Sequence, residues 1–592
     1  MLTLDFETEA IGPRPHAYPP KPVGYAWAFT GKSGYESWGH PGENNTTFGK
    51  AQEKLEHLLH RAQGNVIAHN AVFDREVCIK HMKLGEEATW NDTMVLAFLN
   101  DPYGPLGLKP LAELLCGRQS DEQDAVREWL IGHGVVRRSQ KDWGAHICKA
   151  PMLVVKPYAI GDVMRTRELY ERFEEWHGHQ AYKRELLLQP AIIDMESNGV
   201  LINVRQLSND MTLFDQQFQT LDKAIKKKLG VSSLDEDTAV AKALQKKDLL
   251  HKPLPLTEKG QVSTAKSALI ECVSNKKLLG MMLHRNALAT SLRTFMMPWY
   301  EQATAQGAHG RLYFKLNSVR SEYGVGTRTG RLSSSPNMMN VPSTWENLHR
   351  VFATLEYGAK LPNMRTYIMP DPGHAILALD YSQQEMRLFA HYEDGELMRA
   401  YQRDPTIDAH DMIAKLSGLP RRAAKTLSFA ALYGAGLGVV MQWLECSHQE
   451  ASEFRSKYNQ ALPGVKELSR SITEHVRSGR PIRTIGDRTY FPETPKYING
   501  QLKDFIYKLV NYLIQGSAAD QLKEAMVEYY YSKSRRGRLM FPVHDEIVCS
   551  APIKEAEHES QLLSRYMRHS FADALDVEFL VDSTKGVNYG EC

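Results

Sequence analysis

Three short patterns carrying acidic side chains stand near the start of the chain: Asp5-x-Glu7, Asn70-x-x-x-Asp74 and Tyr158-x-x-x-Asp162. Asp5 and Glu7 lie two apart in the alternating run LTLDFET, so both leave one face of a predicted strand. Two anions side by side repel, and a divalent cation that favours hard oxygen ligands, Mg²⁺ or Mn²⁺, resolves the conflict. The spacing of four in the other two patterns is about one helical turn, which predicts a shared helix face for each pair. Alone, each pattern reads as an ordinary surface carboxylate or a half-buried tyrosine; their succession within about 160 residues makes the case. Far downstream, Asp380 ends the apolar strand AILALD and Asp545 sits in the turn of PVHDEIV. A single Asp at a strand end is more often a helix N-cap than a metal ligand. The two can hold cations jointly only if their strands share a sheet, which the sequence allows without requiring.

Between them, Arg421, Lys425, Phe429 and Tyr433 recur every fourth position in LPRRAAKTLSFAALYGAG. Each step advances about 40° around a helix, so the four form one slowly drifting stripe. One face cannot be both core and solvent, and a binding surface explains the mixture: cations for a triphosphate, aromatics for base and sugar.

The elements that must position these groups follow from composition and pattern. With 592 residues, 42% hydrophobic and 24% charged, the chain is globular and too long for one core. Lys plus Arg (72) nearly balance Asp plus Glu (70), so overall charge is silent about nucleic acid. Seven scattered Cys with no CxxC spacing exclude a disulfide framework or zinc knuckle and fit a reducing compartment. The acidic N-terminus lacks the pattern of a signal peptide and no run is long and apolar enough to span a membrane, so a soluble, cytoplasmic protein is expected. Residues 1–185 alternate strands and helices, predicting an α/β domain. Residues 186–305 read as helical, with Lys clusters at 226–228 and 246–247 and an acid-free basic run, Lys276, Lys277, Arg285 and Arg293. A second basic segment, 311–331, contains turn-forming Gly324, Gly326 and Gly330, and 251–263 reads as a loop. Local basic asymmetry of this kind is a nucleic-acid signal.

The first three patterns resemble the exonuclease motifs of the DEDD 3′→5′ exonucleases, in their tyrosine-bearing branch. D-Y-S-Q-x-E-x-R (Asp380–Arg387), R-x-x-x-K-x-x-x-F-x-x-x-Y-G (Arg421–Gly434) and V-H-D-E (Val543–Glu546) resemble motifs A, B and C of family A DNA polymerases, the bacterial polymerase I type. T-G-R-L-S-S (329–334), P-N-x-x-N-x-P (336–342) and Q-G-S-A-A-D (515–520) match further blocks, and the resemblance covers essentially the whole chain. Beginning at the exonuclease, it looks most like bacteriophage replicative enzymes. The implied fold is α/β plus α+β and multidomain, an RNase H-like exonuclease joined to a right-hand polymerase. The expected divisions are exonuclease 1–185, thumb 186–310, first palm part 311–400, fingers 401–500 and second palm part 501–592.

The resemblance also implies roles. Asp5, Glu7, Asp74 and Asp162 would hold two Mg²⁺ ions (with Mn²⁺ as substitute) and Tyr158 would orient the attacking water, with Asn70 contacting the strand. Asp380, Asp545 and the Tyr381 carbonyl would hold two more ions. Arg421, Lys425 and His410 would bind phosphates, with Lys425 the proton donor to pyrophosphate; Gln383 belongs to the same nucleotide set. Phe429 would pack on the incoming nucleotide, and as Phe rather than Tyr would discriminate against dideoxynucleotides. Glu385 with Tyr433 would exclude a ribose 2′-OH. Arg331, Asn511, Gln515 and His544 would contact primer–template DNA in the minor groove, where acceptors are common to all base pairs. Three departures stand out: Ala430 after Phe429 where Gly is frequent, one residue fewer between Ser333-Ser334 and Pro336, and Gln384 at an apolar position. Primer–template and dNTPs are the expected partners, with helicase, primase, single-strand binding protein or a processivity factor as replisome partners, in a monomer in the cytoplasm of an infected bacterial host. Two rival readings are a single-subunit RNA polymerase and a non-catalytic replisome component.

Overall fold

The structure is a computed structural model that describes residues 1–257, 260–320, 326–342, 345–355, 359–498 and 500–592. Gly324, and Glu258 and Lys259 of the 251–263 loop, lie outside the described residues. The first sheet has the order β3-β2-β1-β4-β5, formed by β1 (Leu2–Thr8), β2 (Pro22–Phe29), β3 (Lys32–Ser37), β4 (Asn65–Ala68) and β5 (Thr89–Asp92). β1 to β3 are antiparallel, whereas β1, β4 and β5 run parallel and therefore need helical crossovers. β1 is central and covered on both faces, so Thr3 and Glu7 are as buried as Leu4 and Phe6. Its pairing with β4 ends at Thr3–Ile67, which leaves Asp5 and Glu7 beyond the end of β4. Over that open end lie α1 (Ala71–Val77), α2 (Leu108–Cys116) and α3 (Met152–Arg172).

α4 (Gln180–Asn198) runs unbroken through the boundary expected at 185 and packs against a helix of the second half. The next segment is helical as expected, including α5 (Val204–Leu229) and α6 (Lys276–Thr290). Two of the four cations in its basic run are paired from within, while Lys276 and Lys277 remain exposed. Arg285 is buried on Asp222 and Asp235, at 2.8 and 2.7 Å, and Arg293 also binds Asp235.

A second sheet, order β9-β10-β6-β11, is antiparallel throughout. It begins with β6 (His374–Tyr381), after which the chain forms α7 (Gln384–Glu393), α8 (Ala409–Ser417) and α9 (Arg421–Tyr433). A short hairpin follows, β7 (Lys496–Ile498) with β8 (Gln501–Lys503), so the division expected at 500 falls inside its turn. The long helix α10 (Leu509–Tyr531) then leads to β9 (Arg538–Val543), β10 (Glu546–Pro552) and β11 (Val581–Gly586). One large apolar core extends from Leu188 to Tyr589, and three smaller ones fill the first half. No helix among the described residues is long and apolar enough to cross a membrane.

A buried ionic cluster ties the halves together. Arg184 and Arg488 both donate to Asp520 Oδ1 at 2.6 Å, while Lys523 donates to Glu185 at 2.6 Å and Arg488 also pairs with Glu185. All five side chains are almost inaccessible to solvent, so each charge depends on the others for compensation.

Candidate active sites

In the first half, β1 supplies Asp5 and Glu7, α1 supplies Asp74, and α3 supplies Tyr158 and Asp162 one turn apart. The backbone N–H of Phe6 donates to Asp74 Oδ1 at 2.9 Å, fixing α1 over the strand end. Burial, then the Asp162 charge, raises Asp5 to about 7. Burial and Asp5 push Glu7 and Asp74 upward, so the four carboxylates form one mutually repelling group. Burial followed by the Asp162 charge also raises the Tyr158 phenol.

Sequence reasoning missed the cation in this group. Lys109, on α2, donates to Asp162 Oδ2 at 2.8 Å and to the Tyr158 hydroxyl at 3.2 Å, with its ammonium 4.2 Å from the ring centre. Arg165 takes the other Asp162 oxygen at 3.2 Å. No spacing rule relates LGLKPLAEL to Asp162, so only the fold could reveal this contact.

Asn70 corrects the expectation of a helix face shared with Asp74. It is the N-cap of α1 with φ 63°, a left-handed conformation that Asn tolerates. Buried Asp92 holds this turn by accepting from the N–H groups of Asn70 and Ala71 at 3.0 and 2.9 Å. Asn70 and Phe73 line a cleft of about 690 Å³ that Lys315, Asn317 and Ser335 close from the second half.

In the second half, Asp380 lies opposite Glu546 on one side and Asp582 on the other. Asp545 is in the two-residue turn between β9 and β10, where His544 takes φ 56°. The strands thus share a sheet, as joint action of the two carboxylates requires. Burial, then Asp545, Glu546 and Asp582, raises Asp380 to about 7, and burial raises Asp545. Asp380 Oδ1 is buried without a hydrogen-bond partner among the described residues. Asp582 carried no recognisable motif; it faces Asp380 only through strand pairing.

The α9 stripe is accessible from Arg421 to Tyr433, while Ala423, Ala424, Leu427 and Leu432 on its other side are buried. Phe429 stacks with Tyr433 at 6.2 Å and meets His410 at 5.9 Å, and Lys425 stands 5.9 Å from the Phe429 ring. Arg421 binds Asp408 and Asp411 at 2.7 and 2.5 Å. Burial keeps the His410 imidazolium disfavoured.

Gln383 does not project as an open nucleotide contact. Its Oε1 accepts from Ala409 N–H at 3.1 Å and from the Tyr401 hydroxyl at 3.2 Å, which secures the loop leading to His410. The Tyr381 side chain likewise points away, donating to Met567 O at 2.7 Å, while its N–H donates to Asp545 O at 3.3 Å. Gln384, the polar departure in this motif, is buried and donates to Gln521 at 2.9 Å.

Glu385 is the hub of the second site. It accepts from Arg331 at 2.6 Å, and from Tyr433 and Gln515 at 3.4 Å. Arg331, Asn511, Gln515 and His544 line one open cleft of about 480 Å³. Burial, then Arg331, lowers the His544 imidazole.

Among the described residues no three or more His, Cys, Asp or Glu side chains are already gathered as a metal cage. In the first site Lys109 and Arg165 occupy Asp162; in the second the central acids are two. The donor set nevertheless suits a hard divalent cation. It offers carboxylate oxygens only, their charges repel, and Asp380 Oδ1 has no proton donor of its own.

These features agree with comparison to known proteins. Residues 204–591 match the family model for DNA polymerase family A, and residues 35–176 match a 3'-5' exonuclease model. The chain belongs to DNA polymerase family A. The exonuclease match takes in Asn70, Asp74, Tyr158 and Asp162 and begins after Asp5 and Glu7. The chain is 31% identical over 282 residues to DNA polymerase I of Caldicellulosiruptor bescii, covering 45% of this chain and 31% of that protein. To DNA polymerase I of Rhizobium leguminosarum it is 26% identical over 585 residues, 93% of this chain and 53% of the relative. At best, the chain thus spans about half the length of these curated relatives. Among solved structures, the POL domain of Pol1 from M. smegmatis in complex with DNA primer-template and dNTP superposes with TM-score 0.75 at 21% identity, covering 100% of this chain and 95% of that one.

Proposed function

We propose that this chain is a template-directed DNA polymerase that edits its product with a 3′→5′ exonuclease in the same polypeptide. The observation that carries the reading is that Asp380 on β6 and Asp545 in the β9–β10 turn belong to one sheet and feel each other's charge, with Glu385, which also acts on Asp545, bonded to Tyr433 of the α9 stripe. Two Mg²⁺ ions per site (Mn²⁺ as substitute), held by Asp380, Asp545 and the Tyr381 carbonyl or by Asp5, Glu7, Asp74 and Asp162, would supply charge neutralisation at the phosphate and acidify the attacking hydroxyl or water.

The chain's own residues do the rest. Arg421, Lys425 and His410 hold the triphosphate, and the Lys425 ammonium hands its proton to the departing pyrophosphate. Phe429 packs against the incoming sugar and base. Glu385, drawn toward Tyr433, fills the space a 2′-hydroxyl would need. Arg331, Asn511, Gln515 and His544 present donors to minor-groove acceptors shared by all pairs, so geometry is tested and sequence is not. Arg331 and Gln515 must exchange Glu385 for DNA as the duplex enters. In the exonuclease, Tyr158 orients the attacking water, Asn70 helps seat the strand end, and a frayed terminus is preferred because only an unpaired strand enters. In the same reading the helical segment to about 310 serves as thumb, and the fingers continue to the end of β8 before the second palm part begins.

The deciding assay is gel-resolved extension and degradation of a labelled primer–template by the purified chain with a divalent cation. Extension with dNTPs and shortening without them are expected. Preference for NTPs would favour an RNA polymerase, and no incorporation at all would leave only a DNA-binding scaffold.

A further inference from the structure

The β7–β8 ribbon carries an uncovered apolar pair. Tyr497 and Leu502 lie directly opposite each other across the ladder, and so do Lys496 and Lys503. Alternation along each strand sends the two pairs to opposite faces: one aromatic and aliphatic, the other doubly cationic. Tyr497 is 77% exposed and Leu502 59%, among the largest values for big hydrophobic residues in the described chain.

The ribbon's root is rigidly tied to the second site. Glu493, just before it, accepts from Lys508 at 2.8 Å, Tyr512 at 2.9 Å and Arg328 at 3.3 Å. Tyr512 and Arg328 are themselves walls of the 480 Å³ cleft that holds Asn511 and Gln515. Tyr507, just after it, packs so closely on Gly434 that a Cβ there would lie 2.6 Å from its ring. Gly434 ends the stripe at its aromatic extremity. The surrounding segment 477–508 carries seven Lys or Arg against three Asp or Glu. Arg488 is buried in the ionic cluster and Arg477, Arg483 and Lys508 pair with the three acids, so Arg480, Lys496 and Lys503 are its cations without an ion pair among the described residues.

An exposed aromatic on one face of a ribbon with two lysines on the other, rooted next to a cleft that in this reading receives DNA, has the chemistry of a single-strand platform, where a base stacks on the ring and long cationic side chains reach the phosphates. We propose that the Tyr497–Leu502 face binds unpaired template nucleotides before they reach the polymerase site. This inference rests on the polymerase reading above.

The test compares affinities, by fluorescence anisotropy, for two labelled primer–templates whose 5′ template overhangs are one and eight nucleotides long. The wild-type chain should prefer the longer overhang, and Tyr497→Ala should reduce that preference by roughly tenfold, the weight of one stacked base. Tyr497→Phe, which keeps the ring, should restore it. Because the readout is a ratio, a general loss of fold or of duplex binding does not imitate the effect. An unchanged ratio in Tyr497→Ala, or equal losses with both overhangs, overturns the proposal. Single-nucleotide incorporation on the same substrates is scored in parallel, and its absence in the wild type would overturn the polymerase reading instead.

Discussion

Replacing Asp380 by Asn should abolish synthesis and yet make the metal-free protein more stable. The carboxyl is raised from 3.8 to about 7 by burial and by Asp545, Glu546 and Asp582. At ~1.4 kcal/mol per tenfold change, a rise of this size is about 4 kcal/mol against the ionised form, and solvent reaching the group lowers this to about 2–3 kcal/mol. The folded-state value lies above the unfolded one. The group's contribution to stability is therefore complete below the unfolded value and is lost as pH rises through about 7. Urea denaturation in EDTA should show the wild type weakening relative to Asp380→Asn between pH 5 and pH 8, with the variant ahead by about 2–3 kcal/mol at the upper end. Millimolar Mg²⁺ should close the gap by favouring the ionised wild-type cluster. Both proteins are best compared with Asp5→Ala and Glu7→Ala also in place, so that only the second site responds. If Asp380→Asn gives no advantage at pH 8, or if Mg²⁺ stabilises both proteins equally, the repelling acids beside β6 are not a cation site.

The two carboxylate groups should be separable: Asp380→Ala is expected to stop extension and spare excision, and Asp5→Ala with Glu7→Ala to do the reverse, as read on one labelled primer. Lys109→Met removes a charged donor shared by Asp162 and Tyr158, a contact worth about 1.5–3 kcal/mol, so excision should slow by roughly ten- to a hundredfold while extension is unchanged. Asp520→Asn strips the buried Arg184 and Arg488 of their shared anion and should cost about 3–5 kcal/mol by urea denaturation.

Much of both sites was legible because their chemistry follows backbone period. The spacing of Asp5 and Glu7 on a strand, and of Tyr158 and Asp162 on a helix, needs no tertiary information. The α9 stripe is one face because its period is helical; in the structure Arg421, Lys425 and Tyr433 are exposed and Phe429 is half-buried against the core. What escaped is what long-range pairing decides. Asp582 meets Asp380 only through β11, and Lys109 meets Asp162 only through the packing of α2 on α3. Arg285 looked like a DNA contact because Asp222 and Asp235, its partners, are 63 and 50 residues away. Asn70 obeyed its spacing to Asp74 but not the assumed conformation, because the carboxylate of Asp92 captures the turn.

The continuity of α4 bears on any attempt to study the second half alone. A polypeptide starting at residue 186 would begin midway along that helix and discard Arg184 and Glu185. Lys523 would then lose its only carboxylate contact among the described residues, and Asp520 one of its two arginines. The start of α4 thus contributes structural ions to the second half, and point substitution of Asp5 and Glu7 should disturb that half far less than cutting away everything before residue 186.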